Sequence, residues 1–148
     1  ELISLNDDNI EEILMAHNKY RDELNLPPLK WSDELEKSAK IWAQNLGESG
    51  MELKHSDDSY GENLAMNAGY ISTPAHVVSL WASEKEYFDF TEKKCNTNLG
   101  NCGHYTQIIW KNTKSVGCAL VQKGNKQIWV CKYDPPGNVN IDIGAPPY

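Results

Sequence analysis

Apolar positions near the start of the chain repeat at helical spacing. After Asn6 and Asp7, which can cap a helix, apolar side chains recur every three or four residues up to about position 23. This pattern predicts an amphipathic helix over residues 8–23, with His17 on its buried edge.

Three more helices are predicted before position 90. Ser32 can cap a helix that ends at Gly47, where glycine can adopt the left-handed conformation. A short helix is expected at 62–66. Thr73 followed by Pro74 marks the start of another helix, since Thr caps well and Pro suits the first helical position.

Segments past position 100 are rich in β-branched and aromatic residues. They predict strands over 104–111, 115–122 and 126–133. Between the last two lies Gly124-Asn125, and a two-residue turn with Gly first suits a type II′ hairpin. Such a turn pairs residues whose numbers sum to 249, because the two turn positions do.

The hairpin register predicts how the four cysteines pair. Cys118 and Cys131 sum to 249 and fall on a rung without hydrogen bonds, where Cα atoms lie about 4.5 Å apart, within reach of a disulfide. Cys95 and Cys102 are left to form the second bond. Disulfides imply an oxidising compartment, hence an extracellular, secreted protein whose signal peptide has been removed. The alternative is four free thiols in a cytosolic protein.

Both faces of this hairpin are apolar. Leu120 and Trp129 share one face with the predicted cystine, whereas Val121 and Ile128 point to the other face. A sheet covered by helices on both sides follows. The predicted fold class is therefore α+β, a three-layer α-β-α sandwich with a small antiparallel sheet between helices.

Length and charge narrow the function. The 148 residues fit one domain, 1–148, whose Pro- and Gly-rich end at 135–148 is an extended strap or a tail. The formal net charge is -7, and Lys and Arg are scattered, so no nucleic acid partner is expected. No segment approaches the roughly 20 consecutive apolar residues that cross a bilayer, so no transmembrane segment is expected.

Four polar residues are candidates for a common site: His55, Glu62, Glu84 and His104. Imidazole and carboxylate groups serve both as zinc ligands and as acid–base groups. Glu84 falls on the predicted helix face that carries Trp81, where an unpaired carboxylate would be costly, so it should have a partner. Taken alone, a histidine such as His104 is more often a structural hydrogen-bonding residue than a ligand.

Three motifs carry a family resemblance: residues 60–65 (YGENLA), 102–110 (CGHYTQIIW) and 133–138 (YDPPGN). They resemble the cysteine-rich secretory, antigen 5 and pathogenesis-related superfamily, known as CAP proteins. The resemblance implies that the four candidates form a central His/Glu cleft, which binds zinc in some members and could take another divalent cation. Proteolysis has been proposed for the family, but the chain has no HExxH motif, Ser nucleophile elbow or lone Cys nucleophile.

The resemblance also implies lipid binding, because several CAP proteins bind sterols or fatty acids. The family's sterol site is associated with the loop before His104, here residues 88–102. Phe88, Phe90 and Leu99 are the candidate lipid-binding residues of this loop. The middle of the loop is charged, so an ordinary surface loop is the alternative.

The plant pathogenesis-related group is the most similar subgroup. Its members end in Cys-Asn-Tyr-x-Pro-x-Gly-Asn and a final Pro-Tyr, and their C-terminal peptide can be released as a defence signal. Here Lys132 replaces the usual Asn, extra residues follow Asn138, and one bridge of the six-cysteine plant pattern is missing.

We therefore expect a secreted, non-enzymatic CAP-type protein, a monomer or weak dimer. It would bind a sterol or fatty acid, or act in defence through a host or pathogen protein. The alternatives are a zinc-dependent hydrolase that uses the His/Glu tetrad and the precursor of a signalling peptide cut before Pro135.

Overall fold

The computed structural model describes residues 1–70 and 72–148. In chain order its elements are β1 (Leu2–Ile3), α1 (Asp7–Asp22), β2 (Lys30–Trp31), α2 (Asp33–Glu48), β3 (Gly61–Ala68), α3 (Pro74–Ala82), a 3-10 helix (Ser83–Tyr87), β4 (Phe88–Asp89), β5 (Lys94–Cys95), α4 (Gly103–Ile108), β6 (Ser115–Lys123), β7 (Lys126–Asp134) and a 3-10 helix (Ile141–Ile143). Within these described residues no helix is both long and apolar enough to cross a membrane.

The main sheet is built around the predicted hairpin. Its strands are ordered β1-β6-β7-β3, and β2 pairs in parallel with the start of β6. In the hairpin Cys118 pairs with Cys131, as the predicted register requires. Strand β3 runs antiparallel to β7 and places Glu62 opposite Lys132. The sheet register therefore sets a carboxylate beside an ammonium.

Helices cover both faces of this sheet. Helix α2 packs on the face that carries Val121 and Ile128. Helices α1, α3 and α4 contribute to the core on the opposite face, with Leu120, Trp129 and the hairpin cystine. The predicted fold class and the predicted division of the hairpin into two apolar faces are both confirmed.

Both predicted disulfides are present. Cys118 and Cys131 are bonded with their Cα atoms 4.1 Å apart, and Cys95 and Cys102 are bonded with a Cα separation of 5.8 Å. The first bond joins the two long strands, and the second closes the loop between β5 and α4.

The helix starts follow the predicted caps. The Asn6 side chain accepts a hydrogen bond from the Asn9 backbone N–H at 2.8 Å, and Ser32 and Thr73 cap α2 and α3 in the same way. Gly47 was predicted to end α2, but the helix continues through Glu48. Gly47 is buried inside the helix, where a Cβ would lie 2.8 Å from a methyl carbon of Val121.

Two predicted elements have the wrong type. The segment 62–66 is part of β3 and not a helix, because its backbone pairs with β7. The segment 104–111 begins as α4 and not as a strand. The Glu84 carboxylate accepts the backbone N–H groups of His104 and Tyr105, and so satisfies donors that the first turn of a helix leaves free.

Candidate functional site

His104 and Glu84 form one of two histidine–glutamate pairs. The His104 Nδ1 atom lies 2.7 Å from Glu84 Oε2, and Oε1 of the same carboxylate accepts the His104 backbone N–H at 2.9 Å. The imidazole stacks on Trp81, with ring centroids 6.1 Å apart and planes inclined by 9°. The partner that the sequence demands for Glu84 is therefore His104.

His55 and Glu62 form the second pair. His55 lies on the loop before β3 with its side chain 67% exposed, and its Nδ1 atom is 2.6 Å from Glu62 Oε1. Ser56 donates to both carboxylate oxygens, through its backbone N–H at 3.0 Å and its hydroxyl at 2.6 Å. Because the Glu62 side chain is nearly buried, these donors replace the water that it loses.

Lys132 completes this pair, and the site prediction missed it. Its side chain is 0% exposed, and Nζ lies 2.6 Å from Glu62 Oε2 and 2.6 Å from Asp58 Oδ2. It also donates to the Ser56 hydroxyl. The sequence could have pointed to Lys132, because this lysine lies in a strand that was predicted to be apolar on both faces. A lysine buried there requires partners for its ammonium group.

Burial and these contacts act in opposite directions on the carboxylates. Burial raises the pKa of Glu62, but the hydrogen bonds from Lys132 and Ser56 lower it by more than burial raises it. The pKa of Glu62 therefore lies below its ordinary value. The pKa of Asp58 is also lowered, because hydrogen bonding and charge attraction from Lys132 outweigh burial. Both carboxylates are therefore ionised at neutral pH.

One residue of β3 links the two pairs. Asn63 follows Glu62 in the strand and donates from Nδ2 to the His104 backbone carbonyl at 3.1 Å. The same amide contacts the Tyr133 hydroxyl at 3.2 Å, and that hydroxyl lies 2.7 Å from Nε2 of the buried His17. A buried polar chain thus joins α1 to the start of α4.

The donor set fits a metal site only in part. Each imidazole presents Nδ1 to a carboxylate, which places the proton there and leaves the Nε2 lone pair free, as behind many metal-bound histidines. Glu62, however, already accepts from His55, Ser56 and the Lys132 ammonium, so it does not fit as a direct ligand. Within residues 1–70 and 72–148 no group of three or more His, Cys, Asp or Glu is placed to hold a metal ion. Zinc binding and a cleft shared by all four residues stay predictions.

A separate cavity of about 460 Å³ lies under the predicted lipid-binding loop. Its apolar wall includes Phe88, Cys95, Cys102, Trp110, Ala145 and Pro147. The Cys95–Cys102 disulfide that closes the loop thus forms part of the wall. The Pro-rich end of the chain also lines the cavity, through residues between 141 and 147.

The three predicted lipid-binding residues lie in different places. Phe88 is buried and lines the cavity. Phe90 packs edge-on against Phe88 with centroids 5.0 Å apart and is 45% exposed. Leu99 is 62% exposed on the loop surface, outside the cavity wall. The structure therefore brings together the first two only.

Hydrogen bonds hold the C-terminal segment against α4 and the chain that follows it. The Gly137 N–H donates to the Gln107 side chain at 2.9 Å, and the Lys111 N–H donates to the Pro147 carbonyl at 2.8 Å. The Tyr148 ring lies under the Lys93 ammonium, which is 4.8 Å from its centroid. These contacts fix one wall of the cavity.

An α-β-α sandwich with two histidine–glutamate pairs, and with a cavity lined by its 88–102 loop and its C-terminal segment, is the arrangement of a CAP-fold protein. The family profile of CAP, the cysteine-rich secretory protein family, matches residues 14–133, and the chain belongs to this family. The tobacco (Nicotiana tabacum) pathogenesis-related protein 1C is 42% identical over 139 residues, which cover 93% of this chain and 80% of that protein. The Arabidopsis thaliana pathogenesis-related protein 1 is 39% identical, over 88% of this chain and 79% of its own length. The solved structure of Schistosoma mansoni venom allergen-like protein 4 superposes with a TM-score of 0.74 and 25% identity, covering 97% of this chain and 95% of that one.

Proposed function

We propose that this protein is a secreted, non-enzymatic CAP protein that binds a lipid in the cavity under the 88–102 loop. The observation that carries the proposal is the apolar wall contributed by Phe88, Trp110 and the Cys95–Cys102 disulfide. A volume of about 460 Å³ falls in the range of roughly 300–1,000 Å³ that small-molecule pockets occupy.

The charges beside the cavity favour a lipid with an anionic head group. Lys93 and Lys94 both line it, against one carboxylate, Glu92. An ammonium group can pair with a carboxylate head while the acyl chain contacts the apolar wall. A fatty acid therefore suits the cavity better than an uncharged sterol.

Secretion and a role in defence are part of the same proposal. Two disulfides that join all four cysteines are typical of proteins from oxidising compartments. The tobacco and Arabidopsis relatives are named as pathogenesis-related proteins. We infer that the chain acts outside the cell, in the interaction between a host and a pathogen.

A cavity-filling variant tests lipid binding. Ala145→Trp adds an indole to the cavity wall, whereas Ile41→Trp, on an exposed position of α2, is the matched control. Titration with a fluorescent fatty acid and a fluorescent sterol should show fatty acid binding that weakens about tenfold or more in Ala145→Trp and is unchanged in the control. Equal binding to Ala145→Trp and to the parent protein would contradict the proposal.

The peptide-precursor alternative has less support. Cleavage before Pro135 would have to be followed by loss of the hydrogen bonds that hold Gly137 and Pro147 to the rest of the chain.

The hydrolase alternative requires a positioned metal-bound water. Because Glu62 is paired with Lys132, it is not free to bind a metal ion, and a binding protein is favoured over a hydrolase.

A further inference from the structure

We propose that the Lys132 ammonium is a built-in cation that takes the place of a divalent ion beside Glu62. The chain would then hold its His55 loop without metal and bind zinc more weakly than it would with a neutral residue at position 132. This inference is independent of lipid binding, which uses the cavity under the 88–102 loop.

The ammonium is fully provided with acceptors. Lys132 lies on β7 with a side chain that is 0% exposed, where an uncompensated charge would be strongly destabilising. Its three N–H groups have three oxygen partners, on Ser56, Asp58 and Glu62. These three oxygen atoms surround the ammonium as they would surround a bound metal cation if Lys132 were absent.

Two of these partners come from the loop that carries His55. Ser56 and Asp58 both follow His55 closely in sequence. Asp58 also accepts from the Ser38 hydroxyl at 3.3 Å and from the Tyr60 backbone N–H at 3.1 Å. Lys132 therefore ties the loop to the sheet, and Ser38 ties it to α2. The loop does not need an ion to keep its position.

The same contacts oppose a divalent ion. Both carboxylate oxygens of Glu62 already accept hydrogen bonds, and the Lys132 ammonium already balances the negative charge of Glu62. A cation bound at His55 would also be repelled by the buried Lys132 ammonium, which contacts the same Glu62 carboxylate as His55 does. Lys132 thus lowers the affinity of this half of the site for metal.

The contact between Lys132 and Ser56 has a second interpretation, a Ser–Lys catalytic pair. In such a pair the lysine must be neutral to take the hydroxyl proton. Here Asp58 and Glu62 both pair with the ammonium, which stabilises the charged form. The cation assignment is therefore the better one.

Zinc titration by calorimetry near neutral pH tests the assignment. The variant D58N/K132N removes one charge of each sign, so the net charge stays at -7. It should bind zinc about tenfold or more tightly than the parent protein. K132Q, which keeps a donor towards Glu62 without the charge, should show the same gain and serves if the double variant does not fold.

Three controls isolate the lysine. D58N alone keeps Lys132 and should show no gain, and K126N removes an exposed charge from the far end of the same strand and should match the parent. Adding H55A to D58N/K132N should abolish the gain. Without zinc, hydrogen exchange in the 54–60 loop should be faster in D58N/K132N than in the parent. Equal zinc affinity in parent and D58N/K132N, including no measurable binding to either, or a gain that survives H55A, would overturn the assignment.

Discussion

Acidification should destabilise this protein through His17, a residue far from solvent. The His17 side chain is 0% exposed, with Nδ1 2.9 Å from the Ile13 carbonyl and Nε2 2.7 Å from the Tyr133 hydroxyl. The neutral ring satisfies both neighbours, donating from Nδ1 and accepting at Nε2. Burial lowers the pKa of His17 from 6.5 to about 4, although the bond to Ile13 acts in the other direction.

The sign and size of the effect follow from that pKa. Between about pH 6.5 and 4 the unfolded chain binds a proton at His17 that the folded chain does not, so the free energy of unfolding falls as pH falls. The stability is complete above the unfolded pKa and minimal below the folded one. At about 1.4 kcal/mol per pH unit, the loss is roughly 2.5 kcal/mol at about pH 4.5 and roughly 3 kcal/mol at full effect.

Urea unfolding, followed by tryptophan fluorescence at neutral pH and at about pH 4.5, measures this loss. Carboxylates with lowered pKa values, such as Glu62, lose stability in the same direction, so the comparison with a variant is the informative quantity. His17→Gln cannot titrate and should lose about 2.5 kcal/mol less than the parent over this interval. His76→Gln, at an exposed position, should behave as the parent. Equal losses in the parent and His17→Gln would refute the reasoning.

Three further changes have definite expected outcomes. Arg21 is buried and donates to backbone carbonyls at the end of α4 and along the connection to β6, so Arg21→Met should lower the melting temperature by about 10 °C in calorimetry; a change below about 3 °C would argue against this role. Gly117→Ala would place a Cβ 2.2 Å from the Glu36 backbone nitrogen, so α2 must move off the sheet, and circular dichroism should show a strongly destabilised or unfolded chain; a native melting curve would contradict this packing. Replacing His55 and His104 together by Ala should remove any zinc binding in calorimetry yet change fatty acid affinity by less than about twofold, because that binding rests on apolar contact elsewhere; a large loss of fatty acid affinity would place the lipid at the histidines.

Local signals were sufficient for much of the fold. The caps of three helices and the Gly124-Asn125 turn each specify a structure through near neighbours, and the turn fixes every pair of the hairpin. The disulfide between Cys118 and Cys131 then follows by counting. A two-sided apolar hairpin also requires helices on both faces, so the layer order was predictable.

The elements that failed depend on distant partners. Segment 62–66 is a strand only because β7 pairs with it, and α4 begins where Glu84, 20 residues earlier, accepts its first N–H groups. Lys132 was missed for the same reason, since Asp58 is 74 residues away in sequence. Short segments with mixed propensity take the form that their long-range contacts allow.

The order Cys131-Lys132-Tyr133 in β7 has a consequence for folding fidelity. These three neighbours alternate between the faces of the sheet, and each requires a different partner: Cys118, the acidic cluster of Asp58 and Glu62, or the buried polar chain. A slip of one residue would turn each side chain to the opposite face. The bridge would fail, the ammonium would enter the apolar core, and the phenol would lose its hydrogen bonds. The Val and Ile residues of the hairpin tolerate such a slip, so this tripeptide is what makes a misaligned hairpin costly and keeps the strand in one register.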